Sequence, residues 1–289
     1  SSADMAGAQY LADARITGRG SLSFFGKLQN REYRYGYSQS DDADFTRTHP
    51  LSGDRISALR GVYEKDPAWD APLNPEWESE FARVKAKLKG YISEPRYTLR
   101  DYPQTDQTVP ARYARAYAYH KTAQVDRALT EADSLLAVDP DDPYFLELKG
   151  QVLLESGRPE EALAPLRKAT ELTLSDPLIS SMFGHALIAT EDKSHFEEAE
   201  QVLRASVARD RYNPFAWYQL GMVYAAQGDL PRARLASAEQ QVMSRQYAMA
   251  LRSAQAAEAG LPNGSPDWLR AQDVGMQARA LLEQQMDKR

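Results

Sequence analysis

A small residue recurs at a near-fixed interval through the helix-rich stretch after Pro110: Ala116, Gly150, Gly184 and Gly221, at steps of 34, 34 and 37 residues. A second series, Ala128, Ala162, Ala199 and Ala233, steps by 34, 37 and 34. A period of this length fixes the architecture. Each unit is one supersecondary piece that cannot bury its apolar side alone and must stack on the next. The excess of three residues falls between Gly184 and Ala199, where TEDKSHFEEAE lengthens the turn of the third copy. Each copy ends near a proline that starts the next: Pro140 and Pro143, Pro177, and Pro214. Proline is tolerated in a first helical turn because that N–H has no partner there anyway.

The fourth copy reads Trp217, Leu220, Gly221, Tyr224, Gly228, Ala233, and the second Leu146, Gly150, Leu153, Gly157, Ala162, Leu166, Ala169. This pattern resembles the tetratricopeptide repeat, a 34-residue helix-turn-helix unit. The resemblance implies an all-α solenoid over residues 109–289. Residues 236–259 read as one further helix; after LPNGSPDW a last helix starts with Ser265 as its cap and Pro266 at its first position, and runs to about Gln285 to close the array. Asn263-Gly264-Ser265 is formally a glycosylation acceptor, and reads more simply as a turn.

In such a solenoid the first helix of each repeat lines the concave side, mostly through its fifth and ninth positions. Here these are Tyr113 and Tyr117, Glu147 and Gln151, Ser181 and His185, Tyr218 and Met222. They lack the Lys and Asn of repeats that clamp a C-terminal carboxylate. A groove of Tyr, Met and amide groups suits an extended or helical peptide with apolar anchors. The competing reading is that Tyr113, Tyr117 and Tyr218 are ordinary packing between helices and that His185 is a satisfied polar residue. His120 and His195 read as surface or turn residues.

The first 92 residues differ in kind. A helix is expected over 2–15, a second over 21–28 carrying Phe24, Phe25 and Leu28, and a polar, turn-prone loop over 31–47. Thr48-His49-Pro50 opens another helix, and Asn74-Pro75-Glu76 caps one with Trp77, Phe81, Val84 and Leu88 on one stripe. Residues 93–108, proline-rich and aperiodic, read as a linker into the repeats. This front portion shows no obvious complete core. The start at Ser1 rather than Met, inside a helix, suggests a chain processed or cut from something longer.

Composition narrows the function. Thirty-five Lys plus Arg stand against 41 Asp plus Glu, a net charge of −6 without a basic block, which argues against nucleic-acid binding. No apolar run approaches the roughly 18 residues of a membrane span. With no Cys, disulfides, thiolate nucleophiles and Cys-based zinc sites are excluded. No H-E-x-x-H, no G-x-S-x-G elbow and no properly spaced phosphate loop or dinucleotide fingerprint occurs, and no two His stand four apart to grip a metal.

Three stretches taken in order nevertheless resemble the end of a gluzincin metallopeptidase domain: Ser2-Ala3-Asp4-Met5-Ala6-Gly7, then Phe24-Phe25-Gly26-Lys27-Leu28, then Thr48-His49-Pro50 through Arg55-Ile56. The family includes the CAAX prenyl endopeptidases and the periplasmic BepA-like proteins, whose branch adds a C-terminal tetratricopeptide domain. The resemblance covers about residues 2–60 and implies residues 1–92 as the helical tail of a peptidase domain. Its zinc ligands and general base fall outside this chain, so zinc belongs to a full-length parent and none is expected here. Asp4 would then orient a ligating His, against the plainer reading of a carboxylate at a helix start. His49 would be a possible inhibitory ligand on the fourth zinc position, against the plainer reading of a helix-start residue. Arg55 would pair with a carboxylate in the packed front, or remain a solvated charge.

Two functions follow from these readings. One is the silent C-terminal segment of a bacterial periplasmic zinc metalloendopeptidase of envelope quality control, its repeats recruiting substrates or outer-membrane assembly machinery. The other is a non-catalytic repeat scaffold that binds a protein partner.

Overall fold

A computed structural model describes residues 2–34 and 52–287. Among the described residues all regular structure is helical: fifteen α-helices, two 3-10 turns and no strand. The chain divides into two compact units, Ser1–Ala82 and Arg83–Arg289.

The first unit holds α1 (Ser2–Asp13), α2 (Arg19–Arg34), α3 (Ser52–Tyr63) and the start of α4 (Pro75–Ile92). A small core of Ala8, Phe25, Leu59 and Tyr63, with Leu11, Ile56 and Trp69 against it, joins the helices. Helix α2 runs past the expected end at Leu28 and takes in residues 31–34, assigned above to a loop; the rest of that loop lies outside the described residues. Asn74 caps α4 as its sequence suggests, with Oδ1 accepting from the Glu76 and Trp77 amides at 2.9 and 3.3 Å. The stripe of Trp77, Phe81, Val84 and Leu88 is exposed.

The second unit is an antiparallel helix array. Its repeats pair α6 (Val109–Lys121) with α7 (Val125–Val138), α8 (Pro143–Glu155) with α9 (Pro159–Leu172), α10 (Pro177–Ala189) with α11 (Phe196–Arg209), and α12 (Pro214–Ala226) with α13 (Leu230–Met243). Asp142, Asp176 and Asn213 cap α8, α10 and α12, each followed by its proline. Gly157 and Gly228 take left-handed conformations, with φ of 76° and 84°, in the turns of copies two and four. Ala123 and Glu191 adopt the same conformation in copies one and three, so the motif is weaker there because the turn lacks its usual residue.

Residues 93–108 are not a free linker. They carry α5 (Pro95–Asp101), which packs on α6, and the Arg115 guanidinium donates to the carbonyls of Pro103 and Asp106 at 2.9 and 2.6 Å. The boundary between units falls at Ala82 rather than at residue 92, because Arg83–Ile92 bonds to the repeats. The single helix expected over 236–259 is two: α13 ends at Met243, the chain turns through Arg245 at φ 59°, and α14 (Tyr247–Gly260) follows. Helix α15 (Pro266–Asp287) packs on α14 and α13 and closes the array. Ser265 caps it by accepting from the Trp268 amide at 3.2 Å. Gly264 supplies a φ of 76° to the preceding turn.

Candidate protein-binding groove

The concave positions of the four repeats fall into two halves. In the first half Tyr113 and Tyr117 are only 1% and 2% exposed, packed with Phe145 in a core cluster beneath α4. This corrects the expectation that both tyrosines line an open groove. The residues after Arg83 cover them, with the Tyr91 ring edge-on to Tyr117 at 6.0 Å. Burial pushes both hydroxyls well above their ordinary pKa. Gln151 Nε2 donates to Glu155 Oε1 at 2.8 Å, and His120 Nε2 lies 2.7 Å from the other carboxylate oxygen. Those bonds, His120 first, hold Glu155 below the usual carboxylate range.

The second half is open. Leu178, Phe215, Tyr218 and Met222 are 68%, 44%, 54% and 46% exposed on α10 and α12. The His185 ring stands edge-on to Phe215 with centroids 5.4 Å apart. Burial lowers the His185 pKa from its ordinary value, the nearby Glu155 opposing it. Ser181 is buried, its hydroxyl donating to the Leu178 carbonyl at 2.9 Å. His195 sits in a turn, Nδ1 lying 3.0 Å from Thr190 Oγ1.

A cavity opens in this half where the fourth repeat lacks a leucine that repeats two and three carry. A Cβ on Gly150 would fall 2.4 Å from Leu166 Cγ, and one on Gly184 would fall 2.5 Å from Leu203 Cγ. These leucines lie four residues after Ala162 and Ala199; four residues after Ala233 the chain has Ser237 instead. A Cβ on Gly221 would therefore meet ordinary contacts alone: Ala236 Cβ at 3.4 Å, the Ala233 carbonyl oxygen at 3.6 Å and the Ser237 amide nitrogen at 4.0 Å. The unfilled space is a cavity of about 360 Å³, lined among others by Tyr218, Gly221, Met222, Ser237 and Gln241. The Gln241 Oε1 is buried without a hydrogen-bond partner. The site is a mostly apolar pocket beside two exposed apolar side chains.

A family profile described as tetratricopeptide repeat matches residues 113–177 and 188–247. Those residues carry tetratricopeptide repeats. Among solved structures, one titled "Crystal structure of MamA" is 20% identical over 60% of this chain and 96% of its own, with a TM-score of 0.43. YrrB, titled a TPR protein with an unusual peptide-binding site, is 20% identical over 69% of this chain and 96% of its own, with a TM-score of 0.48. A thermophilic TPR protein of Thermus thermophilus is 21% identical over 65% of this chain and 98% of its own, with a TM-score of 0.35. No curated protein sequence matches.

The repeat family needs no cofactor, and among the described residues no group of three or more His, Asp or Glu is placed to hold a metal ion. No described helix is long and apolar enough to cross a membrane. Asp4 is bonded by Arg55, whose Nε and Nη2 donate to its two carboxylate oxygens at 2.9 and 2.5 Å. The Arg55 guanidinium also lies 4.0 Å over the Phe25 ring. His49 lies outside the described residues. The reading of fifth and ninth positions missed Phe215, Ser237 and Gln241. Ser237 could have been found by aligning the second helices of the repeats.

Proposed function

We propose that this repeat array is a protein–protein interaction scaffold whose working surface is the concave groove of repeats three and four. A partner segment, extended or helical, lies across Leu178, Phe215, Tyr218 and Met222 and inserts one apolar side chain into the cavity between α12 and α13. The cavity carries this reading. Its counterparts in repeats two and three are filled by Leu166 and Leu203, so repeat four departs from them, beside the exposed Tyr218 and Met222. Aromatic and Met side chains beside a buried pocket are the usual anchors of peptide recognition.

The test is selection of a displayed random-peptide library on the full chain. Recovered sequences share an apolar anchor, and their binding falls at least about tenfold on Met222→Glu and on Tyr218→Ala, about 1.4 kcal/mol or more. Peptides without an anchor, or binding untouched by both changes, would remove the reading.

A second reading is favoured by the Asp4–Arg55 pair, which ties together the first and last stretches of the metallopeptidase resemblance. We infer on that basis that the array serves a periplasmic zinc metalloendopeptidase of envelope quality control, presenting substrates or outer-membrane assembly machinery to it. The coding sequence upstream of Ser1 tests this. An H-E-x-x-H helix followed by a Glu four residues before Asp4 supports the peptidase; a front end of any other kind leaves the scaffold alone.

A further inference from the structure

The front half of the groove already holds a helix. The second half of α4 crosses the concave face of α6 and reaches the start of α8. Lys87 Nζ lies 3.0 Å from Glu147 Oε2, and 5.9 and 5.6 Å from the ring centroids of Tyr113 and Tyr144. Arg83 Nη1 donates to Asp142 Oδ2 at 2.5 Å, its guanidinium 5.2 Å over the Phe145 ring. At the crossing point Gly90 meets α6 backbone to backbone: a Cβ there would fall 2.7 Å from the Ala114 carbonyl oxygen and 3.0 Å from Tyr117 Cβ. Lys121 Nζ donates to the carbonyls of Tyr91 and Ser93, both at 2.8 Å, and so places a cation on the negative end of α4. Ala86, between the two cations, is fully buried.

The chemistry read by the repeats is therefore specific. The carboxylates of Asp142, which caps α8, and of Glu147 within it, together with two tyrosine rings, take cations four residues apart, and a close approach takes glycine three residues further on. These are the i, i+4 and i+7 positions of one helix face. The contact is also of an exchangeable kind. It uses the polar and small face of α4, while Val84, Leu88 and Ile92 stay 50%, 51% and 73% exposed. Its ion pairs keep access to water, with Arg83 17% and Lys87 31% exposed, so they weaken as salt rises.

We propose that repeats one and two are a receptor for a basic amphipathic helix, with α4 as the resident occupant that such a partner helix replaces. The occupant it takes carries Arg or Lys at i and i+4 and Gly at i+7. This rests on the concave face being the protein-binding surface, but on different repeats from the cavity.

The probe is a fluorescein-labelled synthetic peptide of the sequence Pro75–Ile92, titrated by anisotropy against full-length chains. Lys87→Glu places like charge against Glu147, and Gly90→Val blocks the crossing; each releases α4 by a different route. Both variants are expected to bind the peptide at least about tenfold more tightly than the unsubstituted chain, and adding Glu147→Lys to the Gly90→Val chain removes that gain. Equal binding by all chains that keep their helical content and melting temperature overturns the proposal.

Hydrogen exchange on the unsubstituted chain decides the matter should both variants lose their fold. Amides of Lys87–Tyr91 are expected to exchange about tenfold faster at roughly 1 M than at roughly 0.05 M salt, while those of Leu148–Val152 are unchanged. Unchanged rates in α4 overturn the proposal. Exchange with α4, found together with failure of the peptide selection at Tyr218 and Met222, would remove the cavity reading and leave this one standing.

Discussion

Arg115 and Glu131 grip each other inside the first repeat, Nε to Oε1 at 2.6 Å and Nη2 to Oε2 at 3.2 Å, with the guanidinium side chain 1% exposed. The remaining terminal nitrogen holds the Pro103 and Asp106 carbonyls, so one side chain joins the segment before the repeats to the first helical pair. Arg115→Ala strips a buried carboxylate and two carbonyls of their donor, and among the described residues only Arg112, at 3.2 Å, still reaches Glu131. Loss of about 3 kcal/mol is expected, seen as a lower urea midpoint at unchanged slope. A loss under about 1 kcal/mol would show that the pair is not what fixes this segment.

The repeat glycines should respond unequally to one added methyl. Gly150→Ala and Gly184→Ala place it 2.4 and 2.5 Å from leucine Cγ atoms, which costs about 1–3 kcal/mol by overpacking. Gly221→Ala meets nothing nearer than Ala236 Cβ, at 3.4 Å, and should be neutral or gain up to about 1 kcal/mol from helix propensity. Thermal melts of the three variants give the order directly. Equal losses at all three positions would contradict the packing described.

His185 titrates below its ordinary value of 6.5 because burial disfavours the imidazolium. A folded-state pKa below the unfolded one means that the unfolded chain binds the proton more readily. The contribution of His185 is thus fully present above about pH 6.5 and is lost as pH falls through that value toward the folded one. Ring-proton NMR should put its midpoint below 6.5, and Glu155→Gln should lower it further, since the carboxylate favours the charged ring. A midpoint raised by Glu155→Gln would contradict this electrostatic picture.

The repeat array is legible in the sequence because its signals are local and recur. The Gly150 and Gly184 spacing, the prolines at helix starts and the Asp or Asn caps before them are set by backbone sterics and unpaired amides alone. The turn between α13 and α14 is not legible, because Arg245 adopts a left-handed conformation usually left to glycine and no proline marks the break. Burial of Tyr113 and Tyr117 depends on a helix more than twenty residues upstream. Only Gly90, an isolated glycine inside a helical pattern, hints at that close approach. The cavity is half legible. Ser237 breaks the leucine series of Leu166 and Leu203, but the space it leaves exists only because Gly221 stands opposite.

Filling that space is the most direct test of the account. Ser237→Leu restores the side chain found in repeats two and three. It should add about 1–2 kcal/mol of stability through apolar burial, while weakening a groove-selected peptide at least about tenfold. Calorimetric titration of that peptide into both chains, beside their melting curves, is the measurement. A more stable protein that binds at least about tenfold more weakly is the predicted result; a more stable protein with undiminished affinity would show that partners do not use the cavity.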